Sequence, residues 1–216
     1  MNHEQLQISE IYDSIQGESS WAGWPCTFIR LTGCPLRCRW CDTAHAFKGG
    51  ETLSVSEILD RVRALSPRLV ELTGGEPLAQ EGVLPLMHAL ASDGYELLME
   101  TGGSLSLKQV PDFVNVVMDL KCPDSGMSEH NCYDNIRYLK KTDEVKFVIA
   151  SEQDFLWAFD KVREYKLSSL CKVLMSPAWG LVSPEDLVRW MLESGVQAKL
   201  NLQLHKFIWH PRKKGV

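Results

Sequence analysis

Cys34-Pro-Leu-Arg-Cys38-Arg-Trp-Cys41 places three thiols within eight residues at C-x3-C-x2-C spacing, between Gly33 and Asp42-Thr43. Thiolates are soft ligands suited to zinc, copper(I) and iron–sulfur centres. A closed structural zinc site takes four protein ligands, and so do most iron–sulfur clusters. Three thiolates on a [4Fe–4S] cube would leave one iron open to a ligand that is not protein. The same residues also read as two buried cysteines and a bystander, or as a zinc site completed by His45 or a distant thiol. Cys26, Cys122, Cys132 and Cys171 have no partner at ligand spacing. Cys26 and Cys171 lie in apolar surroundings and read as small core residues. Seven unevenly spaced cysteines favour metal or redox chemistry over a disulfide framework.

The other unusual polar and glycine residues fall where strands end. Leu6, Ile8 and Ile11 predict a first strand leading into a polar loop over 14–20. A strand over 26–31, bounded by Pro25 and Gly33, delivers the chain into the cysteine loop of residues 33–50. Ser54-Val-Ser-Glu57 has the form of a capping box, and Ile58, Leu59, Val62 and Leu65 follow at helical spacing. A short strand over 69–72 runs into Thr73-Gly74-Gly75-Glu76-Pro77. Leu84, Leu86, Met87 and Leu90 mark a helix closed by Asp93-Gly94. A strand over 95–99 leads to Glu100-Thr101-Gly102-Gly103. The apolar run over 113–120 reads as a strand buried on both faces, ending at Lys121. Then come a strand (144–150), a helix (152–165), a strand (171–175), a helix (184–193, N-capped by Ser183) and a last strand (200–204). Only a short helical candidate over 133–139 lies between Leu120 and Glu144.

Alternating strands and helices predict parallel pairing and right-handed crossovers. In such a fold the strand C-termini converge on one face, where ligands bind. With fewer helices than strands, the expected fold class is α/β, an incomplete and partly open barrel. At 216 residues, with 44% hydrophobic and 24% charged content, the chain reads as one globular domain over 1–216. Its net charge of −5 argues against nucleic acid or an anionic membrane as the main partner. The basic runs Lys140-Lys141 and Arg212-Lys213-Lys214 read as solvated surface. No basic-then-apolar leader opens the sequence, and no apolar run approaches the ~20 residues of a spanning helix. A cytoplasmic protein is the expectation.

C-x3-C-x2-C followed about forty residues later by Gly74-Gly75-Glu76-Pro77 resembles the radical S-adenosylmethionine (SAM) superfamily. The resemblance implies a (β/α)6-type partial barrel, a [4Fe–4S] cluster on Cys34, Cys38 and Cys41, and SAM on the fourth iron. One-electron reduction then cleaves SAM to methionine and a 5′-deoxyadenosyl radical, which the protein positions and shields. Ser14-Ile15-Gln16-Gly17-Glu18, Phe28-x-Arg30-x-x-Gly33-Cys34, Cys41-Asp42-Thr43 and Gln203-x-His205-Lys206 further resemble the 7-carboxy-7-deazaguanine synthases, from about residue 8 to the C-terminus. Those enzymes convert 6-carboxy-5,6,7,8-tetrahydropterin to 7-carboxy-7-deazaguanine with loss of ammonia, towards queuosine-type deazapurines. The resemblance implies hydrogen abstraction from C6, ring contraction and Mg2+-assisted ammonia loss. It also implies a homodimer and an electron donor such as flavodoxin or ferredoxin.

Carried over by that resemblance, Ile15, Gln16 and Gly17 would read the pterin edge. Arg30 offers a planar fork for its carboxylate. Thr73, His205 and Pro211 are further substrate candidates, Glu18 is the candidate acid/base, and Thr43 matches the Mg2+ ligand. SAM would meet Gly75, Glu100, Asp119, Leu120, Lys121, Met175, Ser176, Pro177 and Ala178. The chain departs from some relatives in reading Glu100-Thr-Gly-Gly for Glu-Thr-Asn-Gly. It also continues past Pro211, where some relatives end. Two other readings differ in what they require. An activase installing a glycyl radical on a partner protein would need a docking surface and no Mg2+. A zinc or redox-sensing module would bind no SAM.

Overall fold

The computed structural model describes residues 5–211 and 213–216. Met1–Glu4, where a leader was not expected, and Arg212 of the second basic run lie outside the described residues. Among the described residues nine strands form one sheet: β1 (Gln5–Ile15), β2 (Pro25–Leu31), β3 (Glu51–Ser54), β4 (Leu69–Gly74), β5 (Glu96–Thr101), β6 (Val114–Asp119), β7 (Glu144–Ile149), β8 (Lys172–Pro177) and β9 (Lys199–Leu200). Their order is β3-β1-β2-β4-β5-β6-β7-β8-β9, so β3 and β9 are unpaired edges and the barrel stays open. From β2 to β9 every neighbouring pair is parallel. β1 departs from that pattern, pairing antiparallel with both β2 and β3. The short β3 was not expected from the sequence.

The helices are α1 (Val55–Arg63), α2 (Val83–Ser92), α3 (Glu152–Glu164), α4 (Leu167–Leu170), α5 (Pro184–Ser194) and α6 (His205–Ile208). Ser54 makes the full capping box with Glu57 at the start of α1, and Leu65 lies beyond its end. No helix joins β5 to β6, and only 3-10 turns join β6 to β7, the last at Tyr133–Tyr138. The reduced helix complement is therefore as expected.

Period-two alternation divides the strands between two environments. Ile29, Leu31, Val70, Leu72, Leu97, Met99, Val116, Met118, Val145, Phe147 and Ile149 pack outward against the helices. The intervening side chains point inward. Cys26, Phe28, Leu69, Leu98, Val117 and Leu174 form a small apolar floor, and the polar residues nearer the strand ends stand above it. Phe113 precedes its strand and is exposed, unlike the buried start expected there. The expected strand over 200–204 lasts only through Leu200. Asn201 N still donates to Met175 O, but Leu204 N turns to Gly17 O, and the chain enters α6.

Candidate active site

A cavity of about 410 Å3 opens at the C-terminal ends of the parallel strands, within the size range of small-molecule sites. Cys34, Cys38 and Cys41 occupy one wall, half-buried and not disulfide-bonded. Their loop is held down by Gly33 N to Ala46 O and by Arg39 N to Ser125 O. Burial pushes the thiols of Cys34 and Cys38 up, while the Lys121 ammonium pulls the other way. Among the described residues, no three His, Cys, Asp or Glu side chains converge tightly enough for a single ion; the triad lines a wall instead.

The Gly74-Gly75-Glu76-Pro77 turn lies against this loop. Gly75 N donates to Leu31 O and Glu76 N to Gly33 O. A Cβ on Gly75 would stand 1.9 Å from Gly33 O, so the bare backbone serves contact with the cysteine loop itself. Buried Glu76 is a brace: its carboxylate accepts from Thr101 Oγ1 (2.8 Å), Gly102 N (2.8 Å) and Leu78 N (3.2 Å). Thr43 Oγ1 lies 3.3 Å from Gly74 O and 3.7 Å from Cys41 Sγ. Three soft donors on one wall and a hydroxyl oxygen beside them fit a cubane cluster and a hard cation respectively.

Opposite stands a charged network. Arg30 donates through Nε to Glu10 (2.9 Å) and through Nη2 to Tyr12 Oη (3.0 Å). Its Nη1 carries no bond among the described residues. Lys146 Nζ lies 2.9 Å from Glu18 and 3.5 Å from Glu100. Gln203 Nε2 donates to Glu18 at 2.8 Å. Burial alone would raise the Glu18 carboxyl, but Lys146 and Gln203 outweigh it and hold the group below its usual range. Those neighbours favour the carboxylate form of Glu18. Burial pushes Glu71 well above the carboxylate range, reinforced by the neighbouring Glu100 charge, and Gln16 Nε2 donates to it. Glu100 is raised by the same burial, with Lys146 opposing. Lys121 pairs with Asp119 at 2.9 Å. His205 is lowered by burial and packs on Gly17, where a Cβ would lie 2.1 Å from Nδ1.

Of the residues singled out in the sequence, Gln16, Glu18, Arg30, Thr43, Thr73, Gly75, Glu100, Asp119, Lys121, Ser176, Pro177, Ala178 and His205 line the cavity with the three cysteines. Ile15, Gly17, Leu120, Met175 and Pro211 do not. Leu120 and Met175 are core side chains, so only their backbone could face a ligand. Val216, beyond Pro211, lines the cavity. Sequence reasoning missed Lys146, Glu71, Tyr12 and the bracing role of Glu76. Register carried the signal for Lys146: it pairs with Asp119, the last residue of β6, although it sits third in its own strand.

A family model for the radical SAM superfamily matches residues 28–191. The 7-carboxy-7-deazaguanine synthase of Chlorobaculum tepidum is 44% identical over 214 residues, 98% of this chain and 97% of that protein. Its namesake in Koribacter versatilis is 45% identical over 226 residues, 98% of this chain and 100% of that protein. The crystal structure of QueE from Escherichia coli superposes with a TM-score of 0.77 at 23% identity, covering 93% of this chain and 95% of that one. That likeness shows the fold alone. The chain belongs to the radical SAM superfamily and, within it, to the 7-carboxy-7-deazaguanine synthase family. Membership brings the [4Fe–4S] cluster and SAM, and it displaces the activase and zinc-module readings.

Proposed function

We propose that this protein converts 6-carboxy-5,6,7,8-tetrahydropterin to 7-carboxy-7-deazaguanine and ammonia, a carbon–nitrogen lyase step towards queuosine-type deazapurines. The observation that carries the reading is that the Arg30 guanidinium and the three-cysteine wall border one cavity. When bound, the cluster and SAM supply one-electron cleavage and hydrogen abstraction, and Mg2+ supplies charge neutralisation. Cys34, Cys38 and Cys41 hold the cluster, and the Thr43 hydroxyl holds Mg2+. Gly75, Asp119, Lys121, Ser176, Pro177 and Ala178 border SAM, with backbone of Leu120 and Met175. Arg30 takes the substrate carboxylate, while Gln16, Thr73, His205 and the backbone of Ile15 and Gly17 fix the pterin edge. Glu18 stands beside it as a carboxylate that can accept a proton, and Glu100 borders SAM.

The protein acts as a single domain and a homodimer, in the cytoplasm, reduced by a flavodoxin or ferredoxin. No described helix is long and apolar enough to cross a membrane. The test is anaerobic incubation of reconstituted, reduced protein with SAM, Mg2+ and the pterin. The expected products are 5′-deoxyadenosine and the deazaguanine, and both should vanish in Cys38→Ala. 5′-Deoxyadenosine without deazaguanine would overturn the substrate assignment.

A further inference from the structure

Among the described residues, Lys146 is the one cation that reaches two of the cavity's carboxylates from within a strand. Its side chain is 7% exposed, and Nζ lies 2.9 Å from Glu18 and 3.5 Å from Glu100. Glu18 comes from the loop between β1 and β2, and Glu100 from β5; the three residues span 128 positions of sequence. That loop is fixed from the same side: Ser19 N donates to Asn201 Oδ1 at 2.7 Å, and Ser20 N to Glu144 on β7. Asp119 on β6 adds a third carboxylate near the ammonium. Asp42 and His205 face Glu18, Glu71 faces Glu100 from β4, and Lys121 is held by Asp119. Without Lys146, Glu18 and Glu100 would confront each other in a buried space that must also admit a carboxylate-bearing substrate. Like charges in such a site repel strongly.

We propose that Lys146 is a positioning residue for the reaction: its ammonium ties Glu18 to Glu100, fixes both carboxylates at the cavity wall and balances their charge when the substrate's own carboxylate enters. This rests on the reaction proposed above. It makes Glu18 act as an oriented anion and not as a free acid.

Lys146→Gln and Lys146→Arg are compared with the parent protein by steady-state kinetics across pH, at matched iron content. In Lys146→Gln, KM for the pterin rises on the order of 30-fold, the effect of truncating one partner of a buried charge pair. The acid limb of kcat/KM moves to higher pH, because Glu18 no longer has the cation that keeps it ionised. Lys146→Arg returns the acid limb to its parent position. An unmoved limb in Lys146→Gln, or equal behaviour of the two variants, overturns the proposal. Should Lys146→Gln fail to fold, the Glu18→Gln, Lys146→Gln double variant removes both charges. It is expected to fold and to match Glu18→Gln alone, and additive losses overturn the proposal. Carboxyl 13C titration of Glu18 is read without turnover. If the parent protein forms no deazaguanine, the reaction reading falls, while a Glu18 titration that moves up in Lys146→Gln still upholds the tie; an unmoved one ends it.

Discussion

Two nitrogens of the Arg30 guanidinium are fixed by Glu10 and Tyr12, so the plane of the fork is set before a ligand arrives. Glu10 also lies 3.5 Å from His45 Nε2, on the loop carrying Thr43, with no hydrogen bond between them. A lysine at position 30 would keep the charge and lose the plane. Arg30→Ala is expected to lower kcat/KM for the pterin roughly 100-fold, mainly through KM, by unpairing both Glu10 and the substrate carboxylate. Arg30→Lys should recover only part of that loss. Kinetics with the pterin varied would measure it, and an unchanged KM in both variants would take Arg30 out of the binding site. The pH behaviour of the neighbouring Glu18–Lys146 pair has a definite sign. Glu18 is held below its usual range, so its contribution is present above the ordinary carboxylate pKa and lost as pH falls through the lowered value. Lys146 is raised by Glu100 and Glu18 against the opposing effect of burial, so its contribution ends only above the ordinary lysine range. The pair spans neutral pH.

At the scale of elements, the site depends on how closely the end of β4 lies on the cysteine loop. Gly-Gly-Glu-Pro was legible in the sequence as backbone without side chains, yet its neighbour was not. The sequence does not say that Gly33 O would lie 1.9 Å from a Cβ on Gly75. Nor does it say that Glu76 would turn inward to Thr101 and Gly102. Gly75→Ala therefore forces two backbones apart and cannot be absorbed by a rotamer change. Overpacking of this kind costs about 3 kcal/mol, or roughly 6–12 °C in Tm for a chain of this size. Ala at Gly94 meets no heavy atom within 4 Å and, at φ +81, carries only the backbone strain. Thermal melts of the two variants distinguish close approach from φ: Gly75→Ala should fall further and also lose cluster binding. Equal losses, with the cluster retained in both, would refute the packing argument.

Across the whole molecule, the strands, the helix caps and the open barrel were readable because period-two and period-3.6 patterns and capping residues are local signals. The antiparallel β1 and the edge strand β3 were not, because pairing partners are set at long range. Lys146 and Glu71 stayed hidden for a related reason. A charged residue at an inward position of a strand looks, in sequence, like the exposed side of a half-buried one. Only closure of the sheet turns that side into a cavity wall. The same long-range wiring decides what the cluster should stabilise. The loop over 33–50 leads from β2 into β3, which reaches the rest of the sheet only through β1. A group binding the three thiols of the folded chain, and not the unfolded one, adds about 2.7 kcal/mol at a hundredfold excess over Kd, or roughly 5–11 °C in Tm. Anaerobic protein stripped of iron is expected to melt that much lower than the reconstituted form. Its amide exchange should quicken in the loop and in β3, and much less in α3, which packs over β7. In Cys38→Ala, iron should shift neither the melt nor the exchange. A uniform change in exchange, or an iron-dependent shift that survives Cys38→Ala, would mean that the triad does not anchor this edge of the barrel.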